Sequence, residues 1–472
     1  MTGSGEQLRE ALVAVLGSEV RVSAGSSDRD LHAEDISFHR PRRPDFVVYP
    51  RSTGEVARVL AFAHEHRVPV TPFGAGSSLE GHVIPVAGGI SLDLSGLDRV
   101  LAVSPDDLSA HVQAGVTRGA LARAAGSQGL FFPVDPGADA TLGGMAATNA
   151  AGTTTIRYGK MRANVLELQA VLPGGEVIRT GSAAAKTSAG YDLTGLLVGS
   201  EGTLAVITEL RLRLYGIPEV TVAQRISFPD VESACRCAAA AVAAGSAVTR
   251  LELLDAWTMA AINAYHGSEY PEGHCLLVEA AGTEASVEGD LELVRELAEA
   301  EGATSVFQER EADGRARLWA ARHEAAYAAA AAAPGRRSRS TDTCVPISEL
   351  AAAIGYARAQ AEELGLTAAI LGHAGDGNVH LSLQVDVDDP DELRRVDTLV
   401  HRLVEDALAR GGTCTGEHGI GLGKVEALEL EHPDLLPLMR AIKSTFDPHG
   451  ILNPGKVLAT GGDPAGEVAA VR

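Results

Sequence analysis

The chain has 472 residues, 45% of them hydrophobic, with 62 acidic against 40 basic side chains and a formal net charge of −22. That length allows two or three domains with sizeable cores, and the negative charge repels phosphate backbones, which excludes nucleic acid as a natural partner. No apolar run reaches the roughly 18 residues a spanning helix needs, and "MTGSGEQLRE" lacks the basic-then-apolar plan of a signal peptide, so the expected location is the cytoplasm, with at most peripheral contact to a membrane.

In chain order, "EQLREALVAVLG" reads as an amphipathic helix and "TGEVARVLAFAHEH" as a second. "VPVTPFGAGSSLEG" is an apolar strand running into glycine, and "GISLDLSGL" is a further strand with no helix between. "LAVSPDDLSAHVQAG" gives short strands, a helix opens at Thr117, and a glycine- and alanine-rich loop fills 133–164. "VLELQAVLPGGEVIRTG" alternates apolar and polar positions around Pro173, Gly174 and Gly175, a hairpin pattern. After Pro218 the pattern changes to long helices alternating with the strands "RLELLD", "CLLVEAAG", "TSVFQER" and "TDTCVPI". An antiparallel sheet with helices on one face fits that order. "PGRRSRS" reads as a solvated basic loop. The cysteines Cys235, Cys237, Cys275, Cys344 and Cys414 contain no CxxC pair, which argues against a disulfide framework and an iron–sulfur cluster.

Three small-residue loops stand out in the first half. In "PFGAGSSLEG", Gly74-x-Gly76 is followed by Leu79 and a strand where a dinucleotide fingerprint wants glycine and a helix, so a Rossmann reading fails. Glycines still let backbone N–H groups approach an anion, and Ser77 and Ser78 add hydroxyl donors. "PVDPGADATLGGMAATNAAGTTTIRYGKMRANVL" and "YDLTGLLVGSEGTLAVITEL" are two further stretches of this kind. Together they look like a cradle for one extended, polar-edged cofactor.

"GHAGDGNVHLSL" (372–383) sets His373 and His380 around Asp376-Gly377. If that dipeptide is a two-residue hairpin loop, 373 faces 380, and opposed Cβ atoms lie roughly 4.5–5.5 Å apart. Two imidazoles so placed can hold a metal or serve as ordinary structural groups; "TCTGEHGIG" adds Glu417 and His418, and two histidines with one carboxylate is a common catalytic divalent-metal set. If Glu417 is a ligand, the adjacent His418 is expected to point elsewhere, and a neutral imidazole suits a base near neutral pH.

"GAGSSLEGHVIP", "DPGADATLGGMAATNAAG", "YDLTGLLVGSEGTLAVIT", "GHAGDGNVH", "GEHGIG" and "FDPHGILNPGK", in this order, resemble the FAD-dependent D-2-hydroxyacid dehydrogenases of the vanillyl-alcohol oxidase superfamily, over roughly residues 40 to 457. The family includes mitochondrial-type D-lactate dehydrogenase, the catalytic glycolate oxidase subunit and D-2-hydroxyglutarate dehydrogenase. The resemblance implies an α+β fold: an FAD-binding domain over 1–218, a substrate cap over 219–412 with an antiparallel sheet covered by helices, and a segment 413–472 returning to the FAD domain. It implies that Gly74, Ala75, Gly76, Ser77 and Ser78 meet the pyrophosphate, that Pro136, Gly137, Thr141, Gly144, Asn149 and Gly152 line the flavin side, and that Gly202 and Ile207 lie near the adenosine end; Lys456 in "NPGK" reads either as a charge near the flavin or as a solvated lysine. Relatives with covalent FAD carry Gly-Gly-His in the first loop; Ser77 occupies that histidine's place, so FAD is expected to be non-covalent. The resemblance also makes His373, His380 and Glu417 ligands of zinc or manganese, His418 the base, Arg322 in "LWAARHEA" the clamp on the substrate carboxylate, and Asn378 a further substrate contact.

The activity implied is oxidation of a D-2-hydroxy acid to the 2-oxo acid, with electrons passing to a quinone, a cytochrome, an electron-transfer flavoprotein or a partner subunit, from a chain that could form a homodimer. Ser340 and Thr341 stand where hydroxyglutarate-type enzymes carry lysine, which weakens the case for a dicarboxylate, and "TDTCVPIS" resembles the D-lactate enzymes, so D-lactate or a similar short monocarboxylate leads, with D-2-hydroxyglutarate or glycolate as alternatives. An ether-lipid synthase of the same superfamily, a metal-dependent hydrolase and a subunit that only relays electrons are the other readings.

Overall fold

The computed structural model describes residues 3–459 and divides into two compact units. The first contains the described residues up to Ala151, Lys160–Ile217 and the described residues from Glu417 on; the second contains Gly152–Gly159 and Pro218–Gly416.

In the first unit, helix Thr53–His66 starts where Ser52 caps it, its side chain accepting from the Glu55 N–H at 3.3 Å. It buries Val56, Val59, Leu60 and Ala63, the i, i+3, i+4, i+7 stripe that the sequence spells. Each fully buried Val or Leu contributes about 1.5–3 kcal/mol. That stripe packs with a four-stranded sheet ordered Val22–Ser23, Phe46–Val48, Ile90–Asp93, Val70–Phe73, of which the last three run parallel. A five-stranded antiparallel sheet follows, ordered Val100–Ser104, Ser109–Gln113, Val206–Arg213, Val165–Val171, Val177–Gly181, with its own core. Loop 74–78 leaves the end of Val70–Phe73, and loop 199–204 leads into Val206–Arg213.

The second unit is built on one antiparallel sheet, ordered Ser305–Glu309, Val220–Phe228, His274–Gly282, Arg250–Leu254, Ala368–His373, Asn378–Val385, Arg337–Ser340, with Thr343–Cys344 also pairing to Asn378–Val385. Strand alternation sends Val222, Ile226, Leu251, Leu253, Ile370 and Leu381 into the core formed with helices Val231–Ala243, Glu284–Ala300, Leu350–Glu363 and Pro390–Ala409. The other face is not bare, as the sequence reading had it. Leu254, Cys275, Leu277, Ala369 and Leu371 pack there against helices Ala256–His266, Ala312–His323 and Ala325–Ala331.

Two further corrections concern single elements. Residues read as a basic loop form the edge strand Arg337–Ser340, and Val220–Phe228, absent from the strands read in the sequence, is the longest partner of His274–Gly282. The cysteines are all unpaired, and burial pushes the Cys235, Cys237 and Cys275 thiols up to about 12, which keeps them inert. Among the described residues no helix is long and apolar enough to cross a membrane.

Candidate active site

The hairpin that carries the histidines differs from its expected register. His373 pairs with Asn378, and Leu371 with His380, so the loop is the four residues 374–377 and not Asp376-Gly377 alone. The Asp376 N–H donates to the His373 carbonyl at 3.0 Å and the Val345 N–H to that of Gly377 at 3.0 Å. Gly377 has φ +76°, and a Cβ there would run into the Val345 carbonyl. The register is therefore offset by two from the expectation, and an offset of two leaves every side chain on its own face, where an offset of one would flip it. His373 and His380 remain on one face as diagonal neighbours, their ring centroids 5.4 Å apart and their planes at 87°.

Both rings are oriented through Nδ1. The His373 Nδ1–H donates to Glu252 Oε1 at 2.7 Å, and the His380 Nδ1–H donates to the Thr341 carbonyl at 3.2 Å. A neutral imidazole that donates from Nδ1 carries its lone pair on Nε2, the arrangement found in metal-bound histidines. Glu252 is fully buried, and its other oxygen takes Arg322 Nε at 2.8 Å and Nη2 at 2.7 Å. Burial pushes the Glu252 carboxyl up, but the charges of His373 and Arg322 outweigh it and hold it below the usual range. Trp319, one turn before Arg322 on the same helix face, donates its Nε1–H to Glu279 at 2.7 Å under the Arg250 guanidinium, which fixes the helix that presents Arg322.

Asn378 is held as firmly. Its amide donates to Asp342 Oδ1 at 2.8 Å and to the Thr343 carbonyl at 2.9 Å. Asp342, whose Oδ1 lies 3.7 Å from His380 Nδ1, also accepts from the Thr415 hydroxyl at 2.7 Å, and its carbonyl accepts from the Gly416 N–H at 3.3 Å. Gly416 sits so close to the Asn378 amide that a Cβ would collide with it. Glu417 is the next residue, about 3.8 Å from Gly416 along the Cα trace.

The glycine loops of the first unit approach neighbouring side chains closely. The backbone N–H groups of residues 74–78 donate to no acceptor among the described residues. Gly76 has φ +64° with the Phe73 ring 2.9 Å from a built Cβ, and a Cβ on Gly74 would strike the Thr141 hydroxyl. Thr141 caps helix Leu142–Thr148 through Gly144, and Asn149 ends it at φ +51°, its Oδ1 accepting from the Arg162 N–H at 3.0 Å. Gly202, at φ +69°, lies so close to Pro72 that an added Cβ would come within 3.0 Å of the proline ring. Pro136 is half-buried and Gly137 exposed, Ile207 is buried in its strand, and Gly152 falls in the short segment that packs with the second unit. A row of unsatisfied amides flanked by Ser77 and Ser78 fits an anion such as a pyrophosphate.

Around these loops lies a buried ionic network that the sequence reading did not identify. The Glu201 carboxylate accepts from the Ile420 N–H at 2.7 Å and the Gly421 N–H at 2.8 Å, with His82 Nε2 at 3.1 Å. Burial raises the Glu201 carboxyl, yet His82 and the two amides bring it below its ordinary value; His82 is raised by Glu201 against its own burial. Glu80 lies 3.6 Å from His418 Nδ1 and 3.4 Å from Lys424 Nζ, and these charges outweigh burial to lower its carboxyl. Its carbonyl takes the Leu422 N–H at 2.7 Å. Lys456 is buried, its Nζ donating to the Ile84 carbonyl, and burial pushes it down to about 7 against the opposing effect of Asp35 and Glu201. Thus the turn just after His418 is clipped by the Glu201 carboxylate and the Glu80 carbonyl, from distant loops.

A signal for the missed residues exists. Glu252 is the one charge in the apolar run of "LELLD" before its terminal aspartate, and Glu201 is an acid set between glycines in "GSEGT". An ionisable group in such surroundings is a functional-site pointer.

Comparison with known proteins accounts for both units. A family model described as "FAD binding domain" matches residues 44–181, and one described as "FAD linked oxidases, C-terminal domain" matches 217–457. A probable mitochondrial D-lactate dehydrogenase of Danio rerio is 43% identical over 97% of this chain and 93% of its own. A mitochondrial D-lactate dehydrogenase [cytochrome] of Arabidopsis thaliana is 40% identical over 97% and 81%, and the glycolate oxidase subunit GlcD of Bacillus subtilis 35% over 96% and 97%. Two of these carry a mitochondrial location in their names, where the sequence reading placed this chain in the cytoplasm. The fold matches p-cresol methylhydroxylase with a TM-score of 0.79 over 98% of both chains at 16% identity. The chain belongs to the FAD-linked oxidases, as an FAD-dependent 2-hydroxyacid dehydrogenase with the two-domain fold of the vanillyl-alcohol oxidase type.

Proposed function

We propose that the protein oxidises a short D-2-hydroxy monocarboxylate, D-lactate foremost, to the 2-oxo acid. The observation that carries this reading is the pair His373 and His380, each with Nδ1 on an acceptor so that Nε2 is turned to the shared face. With a carboxylate oxygen of Glu417 these nitrogens make a set for zinc or manganese that leaves positions open for substrate. When bound, FAD supplies a two-electron sink and a divalent ion supplies Lewis acidity toward the substrate hydroxyl.

The chain's own groups do the rest. Arg322 spends Nε and Nη2 on Glu252 and offers Nη1 to the substrate carboxylate, a cation strong enough to capture an anion that the net charge of −22 repels at long range. Asn378, its two donors taken by Asp342 and Thr343, meets substrate through Oδ1. His418 takes the hydroxyl or Cα proton, a role worth about 10²–10⁴-fold, with Glu80 Oε1 on its Nδ1 side and Lys424 paired to that same oxygen. Loop 74–78 binds the FAD pyrophosphate, with Ser77 leaving the flavin non-covalent, and Pro136, Gly137, Thr141, Gly144, Asn149, Gly152, Gly202, Ile207 and Lys456 complete the cofactor's surroundings.

Support for a monocarboxylate comes from Thr341. Its hydroxyl accepts from the Leu381 N–H at 3.0 Å and its carbonyl holds His380, so this position orients a ligand and contributes no second cation. Relatives named for cytochrome as acceptor favour a one-electron haem protein here too, and an acidic chain suits a basic partner.

Anaerobic mixing of the purified holoprotein with D- and L-lactate, glycolate and D-2-hydroxyglutarate tests this. Flavin bleaching is expected fastest with D-lactate and absent with L-lactate. Preference for D-2-hydroxyglutarate would replace the substrate, and no bleaching by any of them would remove the reading.

A further inference from the structure

We propose that Glu252 is a positioning residue for the metal centre: it sets which nitrogen of His373 faces the ion, and Arg322 keeps it in place as a carboxylate. The inference rests on the metal reading above and adds to it a residue outside the ligand set.

The geometry is specific. Glu252 and His373 are directly opposed in the pairing of Arg250–Leu254 with Ala368–His373, so the contact is set by backbone register rather than by side-chain search. One carboxylate oxygen takes the imidazole Nδ1–H at 2.7 Å and the other takes the guanidinium at 2.8 and 2.7 Å. Every member is buried, Glu252 at 0%, Arg322 and His373 at 7% each. A fully buried ion pair is weak as a stabiliser, since apolar residues of similar volume often serve the fold as well or better. What apolar residues cannot do is hold an imidazole in one tautomer and one ring orientation. A carboxylate on the far nitrogen of a metal-bound histidine does this and also raises the basicity of the coordinating nitrogen, and its loss typically weakens metal binding about 10–100-fold.

Zinc affinity of the flavin-loaded chain, stripped of metal and titrated against a chromophoric chelator, tests the proposal without recourse to turnover. The parent is expected to bind one zinc, and His373→Ala to lose it, which places the site, because His380 belongs to two candidate ligand groups and His373 to one. Glu252→Gln should weaken zinc about 10–100-fold with flavin content unchanged. Should Glu252→Gln fail to fold, the double variant Glu252→Leu with Arg322→Met replaces the buried pair by apolar groups and is expected to fold and bind zinc more weakly still. Zinc affinity within twofold of the parent in either folded variant overturns the role of Glu252 while leaving the metal site standing. A parent that binds neither zinc nor manganese removes the metal reading itself and this proposal with it.

Discussion

The two units build their functional groups in opposite ways. In the second, His373, His380, Glu252 and Asn378 sit on neighbouring strands, and backbone pairing places them before any side chain moves. In the first, the groups proposed to hold the cofactor are backbone amides of glycine loops, and buried side chains such as Glu201, Glu80 and Asn453 hold those loops from outside. Asn453 alone donates to the carbonyls of His82 at 3.0 Å and Glu201 at 2.8 Å. A strand-built site is damaged by changing a side chain. A loop-built site is damaged by adding one.

The largest expected effects test that contrast by double dissociation. His380→Ala removes a proposed metal ligand from a rigid strand and should lower kcat with the preferred hydroxy acid by about 10³-fold or more, the several kcal/mol ascribed to a Lewis acid, with flavin stoichiometry intact. Gly76→Val, at a residue with φ +64° and an aromatic ring 2.9 Å from the new Cβ, should yield colourless protein that still binds zinc at the hairpin. Absorbance at the flavin band and zinc titration of both variants decide it. Loss of zinc affinity in Gly76→Val would mean the two halves are not separable in this way.

An intermediate effect comes from the clip on the turn after His418. Glu201→Gln replaces two charge-assisted hydrogen bonds, each about 1.5–3 kcal/mol, by at best one neutral one. Glu201 itself stands at φ +54°, a cost of about 1–3 kcal/mol that its contacts must offset. Backbone amide exchange at Ile420 and Gly421 should quicken at least tenfold, and kcat should fall about 10–100-fold with KM within threefold. Unchanged exchange at these two amides would show that the turn holds its shape without the carboxylate.

The contrast also explains what could be read from the sequence. Periodicity exposed Thr53–His66 and the hairpin around residues 173–175, because a buried stripe or alternation is written locally. The shared face of His373 and His380 was legible too, since parity survives an even register offset. The register itself was not: Val345, some thirty residues away, decides it through Gly377. Residues 334–340 looked like a solvated loop because their arginines find acids only in the fold, Arg339 meeting Asp397 at 2.6 Å and Arg336 pairing with Glu392. Glu252, Asp342 and Glu201 share that cause: each is an isolated acid whose partners lie 36 to 220 positions away.

Lys456 gives the smallest effect and sharpens the loop-built side. With its folded pKa near 7 and an unfolded value of about 10.4, the unfolded chain binds more protons between those two values, so stability rises with pH across that window. Below pH 7 both states are protonated and the buried charge counts fully against the fold. Lys456→Met removes the term. At saturating FAD the variant should therefore exceed the parent in thermal midpoint by a few degrees at pH 6, and the gap should shrink by pH 9, where as much as about 2.7 kcal/mol has been recovered at 1.36 kcal/mol per unit. A gap that stays flat would mean that the lysine keeps its proton when folded, and such a proton requires an anion beside it. The Ile84 carbonyl cannot serve as that anion, whereas Asp35 and Glu201 or a flavin pyrophosphate can, so a flat gap at saturating FAD that becomes pH-dependent in the apoprotein assigns the anion to the cofactor.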